Sequence, residues 1–384
     1  MSIYTPREMI DKLISFDTTS FKSNLNLIHF VRDYLADHGV ESHLVMNEEG
    51  TKANLYATVG PNIEGGIVLS GHTDVVPVKG QPWDTDPFTV VEKDGKLYGR
   101  GTCDMKSFFA MGLALVPEML ERGLKQPVIF ALSYDEEIGC MGAPFMIEEI
   151  VRDLPKPRAV IVGEPTSMEV VTAHKGMMHC EVRVTGREAH SSLIENGVSA
   201  VMTSARLITF IEDMMKENKA HANADSPFVP PYTTCHVGVI HGGTADNIIS
   251  RECSFSVDIR TIPEDHGPDF LARIRTYADE LLVDMRKIAP EADIEVIQGT
   301  FTPGLKPEID GEAERICRHI TGDNGTHVVS YGTEAGQFQG VGFSVVVCGP
   351  GSIDQAHRPN EYISLDQVAE GEKFLRKLVD IVAV

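Results

Sequence analysis

The sequence has no apolar run long enough to cross a bilayer. The longest, residues 108–116, is broken by Gly112 and falls far short of the roughly 20 residues a spanning helix needs. It has no apolar stretch of signal-peptide type near its start, where Arg7, Glu8, Asp11 and Lys12 stand close together, so no export is expected. It is poor in basic residues: 34 Lys and Arg against 56 Asp and Glu give a net charge of −22. Such a surface repels phosphate backbones and anionic lipid, so neither nucleic acid nor a membrane is an expected partner. Its seven cysteines are irregularly spaced and form no Cys-x-x-Cys pair, which predicts reduced thiols and a cytoplasmic location. It contains no Gly-x-Ser-x-Gly, and no Gly-Lys-Ser/Thr follows the Gly-rich turn at 99–102. These absences weigh against a nucleophile-elbow serine hydrolase and a phosphate-binding loop.

What the sequence does have is an alternation of elements. Its 384 residues, 42% hydrophobic and 23% charged, are too many for one core and suit a globular protein of two domains. Thr5-Pro6-Arg7-Glu8 has the form of a capping box before a first helix. A second helix over residues 27–35 is closed by Gly39 in the manner of a left-handed cap. Apolar patterning predicts strands at 43–46, 54–59, 67–70, 128–132 and 159–162, and helices at 105–122 and 143–151. Continuous apolar strands alternating with helices predict an α/β domain with a mostly parallel, helix-covered sheet.

After Lys175-Gly176 the pattern changes. A half-exposed strand at 179–185 is followed by a helix through 198–215, with Ser191 or Ser192 as its cap, and a polar loop over 216–231. Strands at 234–240 and 253–259, a helix at 268–288 and a strand at 293–298 complete the order βαββαβ, that of a ferredoxin-like α+β unit. From Glu312 the first pattern resumes, with a helix to Ile320, a strand at 344–348 and a closing helix at 365–382. The expected division is residues 1–176 and 300–384 for the α/β domain and 177–299 for the domain inserted in it.

Asp135-Glu136-Glu137 directly follows an apolar strand. Acids this close raise one another's pKa unless positive charge lies among them. His72, Asp104, Glu137, Glu164 and His357 each fall just beyond a predicted strand or at the mouth of the Gly-rich turn. The carboxyl ends of strands in an open α/β sheet share one edge, so the five can converge. Imidazole with carboxylate suits zinc, with cobalt or manganese as alternatives. Two imidazoles and three carboxylates exceed one tetrahedral ion. They suit two ions, about 3.5–4 Å apart, that share a carboxylate, and one hydroxide then balances the charge. Asp74 can accept a hydrogen bond from the second ring nitrogen of His72. Glu136, left without an ion, can take a proton from water and pass it to a leaving amine.

Six segments then carry a resemblance. They are Ser70-Gly71-His72-Thr73-Asp74-Val75-Val76-Pro77, Gly99-Arg100-Gly101-Thr102-Cys103-Asp104-Met105-Lys106, Asp135-Glu136-Glu137-Ile138-Gly139, Gly163-Glu164-Pro165-Thr166, Gly186-Arg187-Glu188-Ala189-His190-Ser191-Ser192 and His357-Arg358-Pro359-Asn360-Glu361. In this order the chain resembles the dinuclear-zinc amidohydrolase and peptidase family, whose members include deacetylases, desuccinylases, aminoacylases and carboxypeptidases.

The resemblance implies a metal-dependent amidohydrolase with two divalent ions, zinc or cobalt. Asp104 would bridge the ions, His72 and Glu164 would complete one, and Glu137 and His357 the other. Glu136 would be general base and acid for a metal-bridged hydroxide, and the Asp104–Met105 peptide would be cis. Lys175-Gly176 would hinge an inserted lid that also dimerises the protein. From that lid, His190 would donate to the oxyanion in its own or a partner subunit, and Arg260 and Asn247 would hold the substrate's α-carboxylate. Arg260 has an alternative as a surface partner of Asp258 or Glu252, and Asp135 is read as a structural acceptor. Tyr331-Gly332-Thr333-Glu334-Ala335-Gly336 is most similar to members that deacetylate N2-acetyl-L-ornithine in arginine biosynthesis. That implies a small N-acyl amino acid substrate, with Glu334 facing its side-chain amine. Succinyl-diaminopimelate, another N-acyl amino acid or a dipeptide is the alternative substrate.

Overall fold

The structure is a computed structural model that describes residues 3–384. The chain forms two compact units. The first runs to Ala173 and resumes over Leu305–Val328 and Thr333–Val384; the second comprises His174–Gly304 and Val329–Gly332.

The first unit is built on a sheet with the strand order Ser42–Met46, Ala53–Val59, Val128–Ser133, Ile67–His72, Ala159–Val162, Val345–Val347, Val171–His174 and His327–Val329. Its centre is parallel: Ile67–His72 pairs in parallel with Val128–Ser133 and Ala159–Val162, and Val345–Val347 pairs in parallel with Ala159–Val162. These four strands are buried along their whole length, which explains their unbroken apolar sequences. Antiparallel strands flank them. Parallel neighbours end on the same side, so His72, Ser133, Val162 and Val347 mark one edge of the sheet.

Helices cover the sheet and share its core. Thr5 closes the expected capping box with Glu8, and Gly39 ends the Leu25–Asp37 helix at φ +74°. The predicted helix at 105–122 is two helices, Lys106–Ala114 and Val116–Arg122. Pro117 lies in the first turn of the second, where its missing N–H and fixed φ start a helix rather than continue one. The closing helix is Leu365–Val382, at the expected bounds.

The second unit is a four-stranded antiparallel sheet ordered Thr234–Gly242, Glu252–Thr261, Gly176–Thr185 and Asp293–Thr302. Helices Ala200–Ala220 and Gly267–Ile288 complete the order βαββαβ. Buried residues alternate along Gly176–Thr185 and Glu252–Thr261, and the inward faces share a core with Leu207, Ile211, Ile274 and Ala278. The cap of the first helix is Ser199, whose hydroxyl accepts from Met202 N at 3.2 Å, and not Ser191 or Ser192. Residues 194–196 form a short 3-10 turn instead. Among the described residues, six strands of two or three residues escaped the sequence pattern because so few carry no period: Val91–Lys93, Lys96–Tyr98, Ala189–His190, Ile248–Ile249, His327–Val329 and Tyr362–Ser364.

Candidate metal and catalytic site

Each central strand of the first unit hands a polar residue to the common edge. His72 is the last residue of its strand, Asp135-Glu136-Glu137 follow Ser133, and Glu164 follows Val162 by two positions. The Glu164 turn is possible because Gly163 lies against Phe108: a Cβ there would sit 2.0 Å from the ring. Asp104 comes from the Gly-rich turn, after which the Asp104–Met105 peptide is cis. His357 comes from the loop beyond Val345–Val347 and has φ +62°.

The five proposed ligands meet. His72 Nε2 lies 3.1 Å from Asp104 Oδ1 and 3.6 Å from Glu164 Oε1. His357 Nε2 lies 2.9 Å from Glu137 Oε2 and 3.4 Å from Asp104 Oδ2. The two oxygens of Asp104 thus face the two imidazoles, one each, as a bridging carboxylate requires. Glu136 belongs to the same cluster, since ligand atoms of His72, Glu136 and Glu164 lie within 4.8 Å of one another.

The electrostatics of the cluster call for cations. Burial comes first, then neighbouring acids, in pushing Glu137 up to about 7. Burial also lifts Glu136 to about 8 against the pull of His72, and raises Glu164. Burial would raise Asp104 too, but hydrogen bonds from His357 and His72 hold it below the usual carboxylate range. Buried acids protonate when no cation compensates them. Glu164 Oε1 is buried without a hydrogen-bond partner, an acceptor such as a divalent ion would occupy. The donor set, imidazole and carboxylate on both sides of one shared Asp, fits a pair of ions of the zinc class.

Asp74 plays a different part from the one expected of its carboxylate. His72 Nδ1 lies 2.9 Å from the backbone carbonyl of Asp74 and 3.7 Å from its carboxylate. The carboxylate instead accepts from the N–H groups of Glu136 at 3.1 Å and Glu137 at 3.3 Å and from Ser20 Oγ at 2.9 Å. It therefore ties the acid loop to the strand end that carries His72. Asp135, at φ +56°, is paired with Lys52.

Glu334 also differs from expectation. It is 1% exposed, and its oxygens accept from Ser70 Oγ at 2.5 Å and Ser133 Oγ at 2.7 Å. Both acceptor atoms are engaged with the strands beneath the site rather than presented to a substrate amine.

The other expected residues belong to the second unit. His190 pairs with Ile248 in a two-residue ladder and is exposed; its Nδ1 lies 2.8 Å from Ser192 Oγ. The carbonyl of Asn247 accepts from Ser191 N at 2.9 Å, so His190 and Asn247 share one corner. Arg260 directs its Nε to both oxygens of Asp258, at 3.1 and 3.0 Å.

Three supporting residues had gone unassigned. Glu361 receives three backbone N–H bonds from the Asp104 turn and one from Arg100. Cys140 Sγ donates to Glu136 Oε1 at 3.2 Å. Gln81 holds the backbone of His357. Glu361 stands in the last quoted motif, so its presence was visible and its partners were not.

Comparison with known proteins places this arrangement. Residues 68–381 match the peptidase family M20/M25/M40. The acetylornithine deacetylase of Myxococcus xanthus is 36% identical over 97% of this chain and 96% of its own. In fold, the chain is similar to an M20 family metallo-carboxypeptidase from Sulfolobus solfataricus, with a TM-score of 0.76 at 17% identity over 98% of this chain and 99% of that one. A dinuclear metal binding M20 peptidase of Bacillus subtilis superposes with a TM-score of 0.62 at 15% identity, covering 98% and 97% of the two chains. The chain belongs to peptidase family M20/M25/M40 and is a metal-dependent hydrolase.

Proposed function

We propose that this protein hydrolyses the amide of N2-acetyl-L-ornithine to L-ornithine and acetate, a step of arginine biosynthesis. The observation that carries the reaction class is the meeting of His72, Asp104, Glu137, Glu164 and His357 at one sheet edge, with Glu136 among them. The substrate is supported by the relative named acetylornithine deacetylase.

His72 and Glu164 would hold one ion, Glu137 and His357 the other, with Asp104 between. Two divalent ions there, zinc first and cobalt as alternative, lower the pKa of water and polarise an acyl carbonyl. Glu136 accepts one proton from the attacking water at its carboxylate. It returns that proton to the amide nitrogen as the carbon–nitrogen bond breaks, and the water's second proton passes from the new acetic acid to the amine, so that acetate and an ammonium group leave. Asp74 keeps both halves of this apparatus in place. Its carbonyl fixes the tautomer of His72 and its carboxylate holds the backbone of Glu136. From the inserted domain, acting as a lid, His190 donates to the carbonyl oxygen as charge develops. Arg260 and Asn247 bind the α-carboxylate, the guanidinium through its two-pronged edge.

We assign the same domain the role of a homodimer interface. Val239 and Ile240 are exposed on its outermost strand, an edge that a second copy could cover. All seven cysteines are buried, in keeping with the cytoplasm. Among the described residues no helix is long and apolar enough to cross a membrane. The test is an assay of acetylornithine against succinyl-diaminopimelate and other N-acyl amino acids, with metal analysis on the same sample. Preference for acetylornithine is expected; preference for the succinylated substrate would overturn the substrate assignment.

A further inference from the structure

We propose that Gln81, working with Arg100 and Glu361, is a positioning residue that sets His357 against Asp104, and that Trp83 reports on its state. The proposal rests on the metal-centre reading above. Trp83 is the only tryptophan in the chain.

The device starts at Glu361, which is 1% exposed. Its Oε1 accepts from the backbone N–H groups of Gly101 at 3.0 Å, Cys103 at 2.8 Å and Asp104 at 3.1 Å. Its Oε2 accepts from Arg100 Nη1 at 2.7 Å. Four bonds to one carboxylate, one of them charge-assisted, fix the turn from which Asp104 projects.

Arg100 passes the restraint on. Its Nη2 donates to Gln81 Oε1 at 2.6 Å, and Trp83 Nε1 donates to the same atom at 3.1 Å. The Arg100 guanidinium also lies 5.1 Å from the centre of the indole, a cation–π distance. Two donors that converge on one amide atom must meet its oxygen, which leaves the NH2 group of Gln81 free to donate elsewhere. That group donates to the backbone carbonyl of His357 at 2.9 Å. A second tie runs beside it, from Asp84 N to Asn360 Oδ1 at 2.9 Å.

His357 needs such ties. Its φ of +62° is uncommon for a residue with a Cβ, and a backbone of that kind persists only where its surroundings hold it. Its side chain is 56% exposed, so packing does not fix the ring. His72, by contrast, is buried at the end of a central strand and takes its place from the sheet. The two ends of the cluster are thus held by different means. Loosening Gln81 frees the His357 end and leaves the His72 end where it is.

Gln81→Glu separates the two halves of this relay. It keeps an oxygen for Arg100 and Trp83 but replaces the donor with an oxygen that faces the His357 carbonyl. Zinc is titrated into the metal-stripped intact protein by calorimetry, with tryptophan emission followed in parallel. The unaltered protein is expected to bind two zinc ions, one of which changes the emission of Trp83. In Gln81→Glu that step weakens roughly 10–100-fold, the usual effect of losing a group that orients a ligand, while the other step keeps its affinity. At limiting zinc kcat falls with KM unchanged, and excess zinc restores it. Asn360→Ala, which cuts the parallel tie, is expected to act on the same step in the same direction. Equal weakening of both steps, or of neither, in both variants would overturn the positioning role. An unaltered protein that binds no zinc would overturn the metal reading and the relay with it.

Discussion

Glu136 lies among acids, with the Cys140 thiol at 3.2 Å as a donor. In the proposed mechanism, removing its carboxylate takes away the group that moves the proton but leaves the five other acids and imidazoles in place. Glu136→Ala is expected to lower turnover by about 10²–10⁴-fold with metal content close to normal. Loss of both metals in that variant would instead make it a ligand. At Glu334 both oxygens are taken by serine hydroxyls. Glu334→Gln is therefore expected to leave the preference for acetylornithine over acetylnorvaline unchanged and to cost about 1–2 kcal/mol of stability. A collapse of that preference would restore a role in substrate recognition. His174 is fully buried, and burial lowers its pKa from 6.5 to about 4. The folded chain keeps it neutral while the unfolded chain protonates it, so its contribution is complete above about pH 6.5 and is lost as pH falls toward 4. In urea unfolding at pH 4.5, the unaltered protein should lose about 2–3 kcal/mol relative to pH 7 that His174→Gln does not lose. Parallel pH profiles for the two proteins would contradict this.

His72, Glu137 and Glu164 were legible because each sits where a strand ends, a place the apolar pattern marks, and Asp104 and His357 because each stands in a motif of its own, the first at the mouth of a Gly-rich turn. Glu361, Gln81 and Cys140 were not, because their meaning lies in partners. Glu361 acts through a turn some 260 positions away, and no local spacing announces that pairing. Glu334 was visible as a charge, but burial and two serines on neighbouring strands decide its role. The carboxylate of Asp74 was likewise assigned to His72, when the nearby N–H groups of the acid loop claim it.

At the scale of elements, long periodic segments were read well and boundaries less so. The closing helix and the βαββαβ order follow directly from patterning. The split at Leu115 depends on how Pro117 is used, and the true cap at Ser199 depends on where the chain turns into the helix. One element junction bears directly on the site. Gly163 ends a central strand against Phe108, and a methyl group there has no space. Gly163→Ala is expected to destabilise the protein by about 1–3 kcal/mol through overpacking and to weaken zinc binding by shifting Glu164. Calorimetric zinc affinity and thermal unfolding of the variant check both parts. Unchanged affinity would mean that the turn adjusts without moving its carboxylate.

At the scale of the whole molecule, a chain of net charge −22 gathers still more negative charge into one buried cluster. That is costly unless cations are part of the folded protein. Family membership, the donor set and the unpartnered oxygen of Glu164 all point to the same requirement. The measurement that tests it most directly is acetylornithine hydrolysis by one sample before rigorous chelation, after it, and on stepwise return of zinc. The account predicts that activity disappears with the metal and returns as two equivalents are taken up. Full activity in protein free of divalent metal would contradict it.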